Sequence, residues 1–488
     1  MRASLDPRRS AALILLIAFA LRIWDFGNPV IHVDEQYYLL VGDRMLHGAV
    51  PYIDIWDRKP PGLFLLYAAI RLLPGDGILA YQIVATLFAA ATAMLVAQGG
   101  RMLGARETGA LGAAAIYLIL LTLLGGRGGQ SPVFYNLFVA AAAVLTLRLP
   151  DLAAGGRRGA IVTNGFTACL LAGLAVQTKY TPVFEGAFLG CVHVWYLHKA
   201  GTRLPMLAAA ASLWLITGAA PTLLAIGYYA ALGPQALHAF WFANATSIML
   251  RPGYPIDQLA MRLLGIFAQL SPLILCAGMS WHWRPAAQPG RGRWLIAYGW
   301  LIAATIGFFA IGTFFDHYAL PLAAPLTIAA APMLERSRRA LIATLVLGLM
   351  LAGIERIVHH NDAAGAREVA NVVASNSGNA CPYVFAGDTA TYLLAHACLP
   401  TAYTFPNFLS YTTEQGATGI DEAAEVRRIL ANHPPVIVTV DRKLDIWNRA
   451  SKAALDEALG HDYRLVFMAK RNTYHTLVYL RRDRPFNP

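Results

Sequence analysis

The sequence predicts a polytopic α-helical membrane protein of about eleven transmembrane helices with a small C-terminal soluble α/β domain. Three observations carry that prediction. The 488 residues are 57% hydrophobic and only 14% charged, with a mean hydropathy of +0.48, well outside the balance of soluble globular domains. Apolar runs near the ~20 residues needed to cross a hydrocarbon core recur as far as residue 357. Beyond that point the pattern changes. Helix-like DEAAEVRRILANH (421 to 433) precedes strand-like PVIVTV (435 to 440), and YRLVFMAK and YHTLVYLRR flank Arg471-Asn472 as a hairpin would.

The runs lie near residues 10 to 28, 77 to 99, 108 to 125, 132 to 149, 159 to 177, 182 to 197, 204 to 230, 258 to 280, 294 to 313, 317 to 333 and 339 to 357. The first follows Arg8 and Arg9 and contains Ala18-Phe19-Ala20, a triplet resembling a leader cleavage site. Because the apolar stretch continues through Ile23, Trp24 and Phe26, it reads as a retained signal anchor. The net charge of +11 would also suit a nucleic-acid binder. The basic residues, however, sit in short clusters between apolar runs, the pattern that orients membrane helices, so nucleic acid is excluded as a partner.

Those clusters are Arg2, Arg8 and Arg9; Arg101 and Arg106; Arg157 and Arg158; Lys199 and Arg203; Arg284, Arg291 and Arg293; and Arg336, Arg338 and Arg339. Eleven spans cannot place every one of them inside. The positive-inside rule puts the amino terminus in the cytoplasm, and an odd number of spans puts the tail on the far side. The chain then divides into a transmembrane domain, 1 to 357, which includes a first outer loop at 29 to 76, and an outer α/β domain, 358 to 488. The connections around Arg127 to Ser131, Lys179 to Pro182, Gly233 to Asp257 and Phe314 to His317 share the outer side. The unusual polar residues thus converge on one membrane face. In the tail, Cys381 and Cys398 are the only cysteines outside apolar runs. In an oxidising compartment they either pair or remain two structural thiols.

The first outer loop concentrates the candidate chemistry. Asp34 and Glu35 form an acidic pair at the end of the first span, a pattern that also suits plain interfacial solvation. The helix-like piece from Glu35 to Leu46 is expected to lay Tyr37, Tyr38, Leu40, Val41 and Met45 in the membrane interface. In DRKPPG (57 to 62), Pro60 and Pro61 stiffen the backbone beside two cations and Asp57. The point charge of Lys59 and the fork of Arg58 suit a phosphate oxyanion, the plainer alternative being nonspecific attraction to anionic head groups.

Elsewhere, Lys179, His317 and Tyr318 stand at predicted outer span ends, where a lysine often serves as an anchor and a histidine as a local hydrogen-bond partner. Arg251 lies in a connection, 231 to 257, long and aromatic enough to act as a lid, and either meets a phosphate or stays solvated. No close cluster of His, Cys and carboxylates reaches metal-ligand spacing. No obligatory metal is expected, although Asp316 beside His317 leaves room for a divalent cation. GGRGGQ (125 to 130) lacks the Lys-Ser/Thr ending of a phosphate-binding loop and reads as a tight turn.

Four stretches in order resemble the polytopic glycosyltransferases of the GT-C class, in the bacterial branch related to protein O-mannosyltransferases and to the lipid A aminoarabinose transferase. They are HVDEQYYLLVGDRMLHGAVPY (32 to 52), DRKPPG, GLAVQTKYTP (173 to 182) and FFDHYALPLAAP (314 to 325). The resemblance implies inverting transfer of a sugar from a polyprenyl-phosphate carrier, dissolved in the membrane lipid, at the outer face of the bacterial inner membrane. The acceptor would be lipid A, a polysaccharide, a protein or another lipid of the envelope. It also implies that Asp34 is the general base, that Lys59 holds the carrier phosphate, and that Tyr38 reaches the same phosphate. Glu35, Asp57, Arg58, Lys179, His317, Tyr318 and Arg251 then complete the substrate surroundings.

Two departures stand out. Relatives often carry Glu or His directly before Lys-Pro-Pro, where this chain has Arg58, and an acidic residue at the start of span four, where it has Gln130, Pro132 and Asn136. The rival reading is a transporter or flippase of lipid-linked sugars. It would place ionisable groups near the bilayer midplane, whereas here they gather at one interface. A sensor or assembly scaffold leaves the acidic pair and Lys-Pro-Pro without a role.

Overall fold

A computed structural model of the chain describes residues 6–288, 290–358 and 362–488. Arg2 of the first basic cluster lies outside them. Among the described residues, the eleven predicted runs are occupied by the helices Pro7–Arg22, Ile78–Met102, Glu107–Leu123, Ser131–Thr146, Arg158–Val176, Val183–Lys199, Leu204–Ala231, Ile256–Ser280, Gly290–Ile311, Leu320–Arg336 and Arg338–Val358. Eight helical segments among the described residues are long and apolar enough to cross a membrane. Pro7–Arg22, with 16 residues, and Glu107–Leu123 and Val183–Lys199, with 17 each, are shorter. The protein is a multi-pass membrane protein.

The chain clusters into two compact units. The first holds the residues up to Trp24, Gln82–Ala225 and Pro255–Val358. At its centre Leu320–Arg336 packs against Glu107–Leu123, Ile256–Ser280 and Gly290–Ile311, and nearly all of its side chains are buried. Small residues permit that closeness: a Cβ on Gly109 would fall 2.7 Å from the Ala331 carbonyl oxygen.

The first α-helix ends at Arg22, short of the predicted residue 28, where the chain tightens into a 3-10 turn at Ile23–Asp25 before left-handed Gly27 (φ +79°), and Arg22 itself is buried. Its guanidinium donates to the Gly126 and Gly128 carbonyls at 2.6 and 2.5 Å and to the Thr86 hydroxyl at 3.1 Å. The glycine run is therefore a turn whose carbonyls are gathered by one arginine. Gly125, at φ +72°, adopts the left-handed conformation that turn requires.

The second unit joins Asp25–Tyr81 and Ile226–Tyr254 to the tail. Its sheet has strands β1 (Tyr383–Val384), β2 (Val436–Val440), β3 (Tyr463–Lys470) and β4 (His475–Arg481) in the order β1-β2-β4-β3. β1 runs parallel to β2, and the other pairs are antiparallel. The predicted strand is β2 and the predicted hairpin is β3–β4. The predicted helix is Glu422–Ala431, capped by Asp421, whose carboxylate accepts from the Ala424 N–H at 2.8 Å. Its Val426 and Ile429 pack with Tyr383, Ile437, Leu455 and Tyr463 into one core. Cys381 and Cys398 form a disulfide, while Cys169, Cys191 and Cys276 are free.

The loop helix Val33–Leu46 corrects one expectation. Tyr37, Tyr38, Leu40 and Val41 were expected in the interface and are instead buried inside protein. Tyr37 lies 5.1 Å from the Phe405 ring and donates to the Trp56 carbonyl at 2.7 Å. Gln36 donates to Asp388 and accepts from the Ala390 N–H, both at 3.2 Å, and Arg44 donates to the Ala397 carbonyl at 2.6 Å. Phe405, Asp388, Ala390 and Ala397 all belong to the tail, so the aromatic surface that seemed meant for lipid is covered by the chain itself.

Candidate active site

Asp34 is the second residue of Val33–Leu46. His32 holds an extended backbone before the helix and its Nδ1 accepts from the Asp34 N–H at 3.3 Å. The same nitrogen lies 3.9 Å from the Asp34 carboxylate. The first helical turn favours negative charge through its unpaired N–H groups. The Asp34 side chain keeps 21% of its surface exposed and is reachable. Glu35 beside it is fully buried. Tyr38 follows Asp34 by one turn on the same helix face, and the Lys59 ammonium lies 5.7 Å from the Tyr38 ring centroid.

Lys59 precedes a helix start. Pro60 is the cap of Pro61–Arg71, and Pro61 fills the first helical position, where no N–H is needed. The Tyr52 hydroxyl donates to the Lys59 carbonyl at 2.6 Å. Tyr52 itself sits at φ +72°, a conformation rarely held by an aromatic residue. Ring contacts hold it there, with Tyr229 at 5.3 Å, Phe240 at 5.7 Å and Phe64 at 6.3 Å.

Arg58 points elsewhere. Its guanidinium donates to the Ser247 hydroxyl at 2.6 Å, to Glu414 at 2.5 Å and to the Ala417 carbonyl at 3.3 Å. It also lies 4.8 Å from the Trp56 ring and 5.4 Å from Phe408. Arg251 donates to the other Glu414 oxygen at 2.7 Å. Glu414 thus bridges two arginines from distant parts of the sequence. The long connection carrying Arg251 is itself structured, with a helix at Pro234–Trp241 and a π-helical stretch at Phe242–Thr246.

Burial pushes the Asp57 carboxyl above its ordinary range, and Asp34 pushes it further. Lys59 and the Arg58 N–H, which donates to Asp57 at 2.6 Å, pull it back down. A folded pKa above the unfolded one means that the native state holds this proton more tightly. The associated stability is full below the unfolded value of ~3.9 and is lost as pH rises through the folded value. Asp57→Asn keeps the accepting oxygen and removes the disfavoured charge. It is expected to melt above the wild type at about pH 7, with the two melting temperatures converging near about pH 4. Thermal scans across that range check it.

The remaining candidates assemble in the membrane unit. Lys179 is buried with its ammonium 3.9 Å from the Tyr318 ring centroid. The His317 ring meets Tyr318 edge-on at 4.4 Å and stacks on Phe315 at 5.9 Å. Among the described residues, no three His, Cys, Asp or Glu side chains gather as a metal site. Two further carboxylates differ in how they show in the sequence. Glu414 carries no motif. Glu185 does have a signal, being the one acidic residue within the run 182 to 197.

No family profile matches the chain, and no curated protein matches it by sequence. Solved structures do match. ArnT from Cupriavidus metallidurans, bound to undecaprenyl phosphate, is similar with a TM-score of 0.61 at 14% identity, covering 96% of this chain and 97% of that one. Its apo form gives 0.63 at the same identity and coverage. The chain has a GT-C glycosyltransferase fold. The archaeal oligosaccharyltransferase AglB from Archaeoglobus fulgidus, in complex with an inhibitory peptide and a dolichol phosphate, shares the GT-C fold more distantly. Its TM-score is 0.54 at 10% identity, over 95% of this chain and 79% of that one. The four-motif resemblance therefore agrees with the GT-C fold found over almost the whole chain.

Proposed function

We propose that the protein is an inverting glycosyltransferase that moves a sugar from a polyprenyl-phosphate donor to an envelope acceptor at the periplasmic face of the bacterial inner membrane. One observation carries the reading. The reachable Asp34 carboxylate and the Lys59 ammonium belong to one compact unit, with Tyr38, one turn after Asp34, under the ammonium. The undecaprenyl phosphate bound by ArnT and the dolichol phosphate bound by AglB support the donor class.

An acceptor hydroxyl attacks the anomeric carbon from the side opposite the phosphate. The carbon–oxygen bond to the carrier breaks with its electron pair passing to the phosphate, and Asp34 takes the acceptor's proton during attack. Lys59 stabilises the charge growing on the departing phosphate, with Tyr38 beside it. A single displacement inverts the centre and needs no carboxylate nucleophile.

Arg58 serves by fixing DRKPPG through Ser247, Glu414 and Ala417, and Arg251 through the same Glu414. Asp57 tempers the charge of Lys59. Glu35 supports the helix bearing Asp34, while Lys179, His317 and Tyr318 serve the membrane side of the substrate. The amino terminus lies in the cytoplasm. Residues 1 to 357 form the catalytic domain, and the periplasmic tail, 358 to 488, cages its first loop. No obligatory metal takes part. The rival transporter reading is disfavoured because Asp34 and Lys59 lie at the starts of helices of only 14 and 11 residues, too short to cross a bilayer.

The test is transfer from synthetic polyprenyl-phosphate sugars to extracted envelope acceptors by wild type, Asp34→Asn and Lys59→Ala. Losing a charge-assisted bond of about 1.5–3 kcal/mol, Lys59→Ala should bind the donor roughly 10- to 150-fold more weakly. Undiminished transfer by folded Asp34→Asn rejects the base.

A further inference from the structure

The proposed base sits where a helix is least able to hold itself. Val33–Leu46 has 14 residues, a length that is marginal in isolation. Asp34 lies in its first turn, whose N–H groups have no partners within the helix. Fraying of that turn would swing the carboxylate away from its substrate. What holds the turn comes from the tail.

Cys381 and Cys398 are 17 positions apart, and their disulfide closes the intervening chain into a ring. The ring starts on the sheet, where Tyr383 and Val384 of β1 pair with Ile437 and Val438 of β2. Its Asp388 is ion-paired with Arg471, between β3 and β4, and Arg471 also donates to the Asp362 carbonyl at 3.0 Å. From this frame the ring takes the helix at both ends. In the first turn, two residues after Asp34, the Gln36 amide donates to Asp388 and accepts from the Ala390 N–H, both at 3.2 Å. A carboxylate only accepts and a backbone N–H only donates, so a single orientation of that amide satisfies both. In the last turn, Arg44 donates to the Ala397 carbonyl at 2.6 Å. His396, just before Ala397, holds φ +49°, a left-handed backbone that is uncommon outside glycine and persists only where its surroundings impose it. The clasped helix also packs on Pro61–Arg71, the helix that follows Lys59: a Cβ at Gly42 would fall 2.6 Å from the Ala68 nitrogen. The ring and both helices belong to the second compact unit.

We propose that the disulfide-closed ring, 381 to 398, is a clamp that fixes the Asp34 carboxylate for proton abstraction, with Gln36 as the positioning residue through which it acts. The assignment rests on the glycosyltransferase reading and adds to it the part of the tail that sets turnover. Releasing the clamp leaves the donor bound at Lys59 and lets the base drift, and reaction rates fall steeply with such misplacement.

The experiment compares the full-length wild type in nanodiscs with Gln36→Leu and with the ring-opened double variant Cys381→Ser/Cys398→Ser. Two quantities are read: transfer from synthetic polyprenyl-phosphate sugars per donor-binding site, and hydrogen exchange of the amides of residues 34 to 38. Each variant is expected to lower kcat about 10- to 100-fold with donor affinity unchanged, and to speed exchange in that turn while β2 and β4 stay protected. Because the ring acts through Asp34, adding Gln36→Leu to Asp34→Asn should slow residual transfer by about twofold at most. Gln36→Leu keeps the ring intact and decides the matter should the ring-opened protein not fold. Unchanged turnover per site, a parallel fall in donor affinity, unchanged exchange of the turn, or losses that multiply in full with Asp34→Asn would each overturn the proposal. Faster exchange in the variants of a protein whose wild type transfers no sugar counts against the glycosyltransferase reading alone.

Discussion

Asp34→Asn folds as the wild type does, binds the polyprenyl-phosphate donor with undiminished affinity, and transfers sugar about 10²–10⁴-fold more slowly. The size follows from what is lost, a proton acceptor working during attack on the anomeric carbon. The retention of fold follows from the surroundings. Asp34 makes no cap of its own helix, since His32 holds that position, and its side chain is partly exposed. The amide has the same shape and cannot take the proton. Turnover and donor affinity measured on one preparation separate the outcomes. A parallel fall in affinity would make Asp34 a binding group, and an unchanged rate would remove it from the chemistry.

Glu414→Ala is expected to cost about 3–5 kcal/mol of stability. Its two oxygens bridge Arg58 at 2.5 Å and Arg251 at 2.7 Å, and both Arg58 and Glu414 are buried. Removing the carboxylate leaves two neighbouring guanidinium groups facing each other with their shared counter-charge gone. Burial already pushes Arg58 below its ordinary range, and Glu414 is the chief group that pulls it back. Against a typical total stability of about 5–15 kcal/mol, the change should be plain in denaturant unfolding. Glu414→Gln, which keeps one accepting oxygen and loses the charge, should fall between. Unfolding curves for both variants that match the wild type would show that the bridge contributes nothing.

Much of the architecture was legible because membrane spans and strands write themselves locally. Each of the eleven apolar runs became a helix, and Arg471-Asn472 did mark a hairpin between β3 and β4. A local pattern reports only on what lies within a few turns, and the misreadings have that cause. Tyr37 and Tyr38 looked lipid-facing because the residues that cover Tyr37, Phe405 and Phe408, are far along the chain. Arg58 looked like a phosphate fork because its true acceptor, Glu414, lies 356 positions away. Asp34 and Lys59, the proposed base and phosphate holder, stand in recognisable motifs, whereas Glu414 stands in none.

The same separation has a consequence for how the protein is made. A chain emerges amino terminus first at about 5–20 residues per second, so Arg58 must wait for Glu414 through 356 further residues, roughly 20 to 70 seconds. Throughout that interval the loop bearing the proposed base and phosphate holder has no tail to enclose it. The site cannot assemble as its own segment is made. Competence arrives late, when nearly all of the protein has been synthesised, and a message cut short in its last quarter would yield an anchored chain with its first loop uncaged.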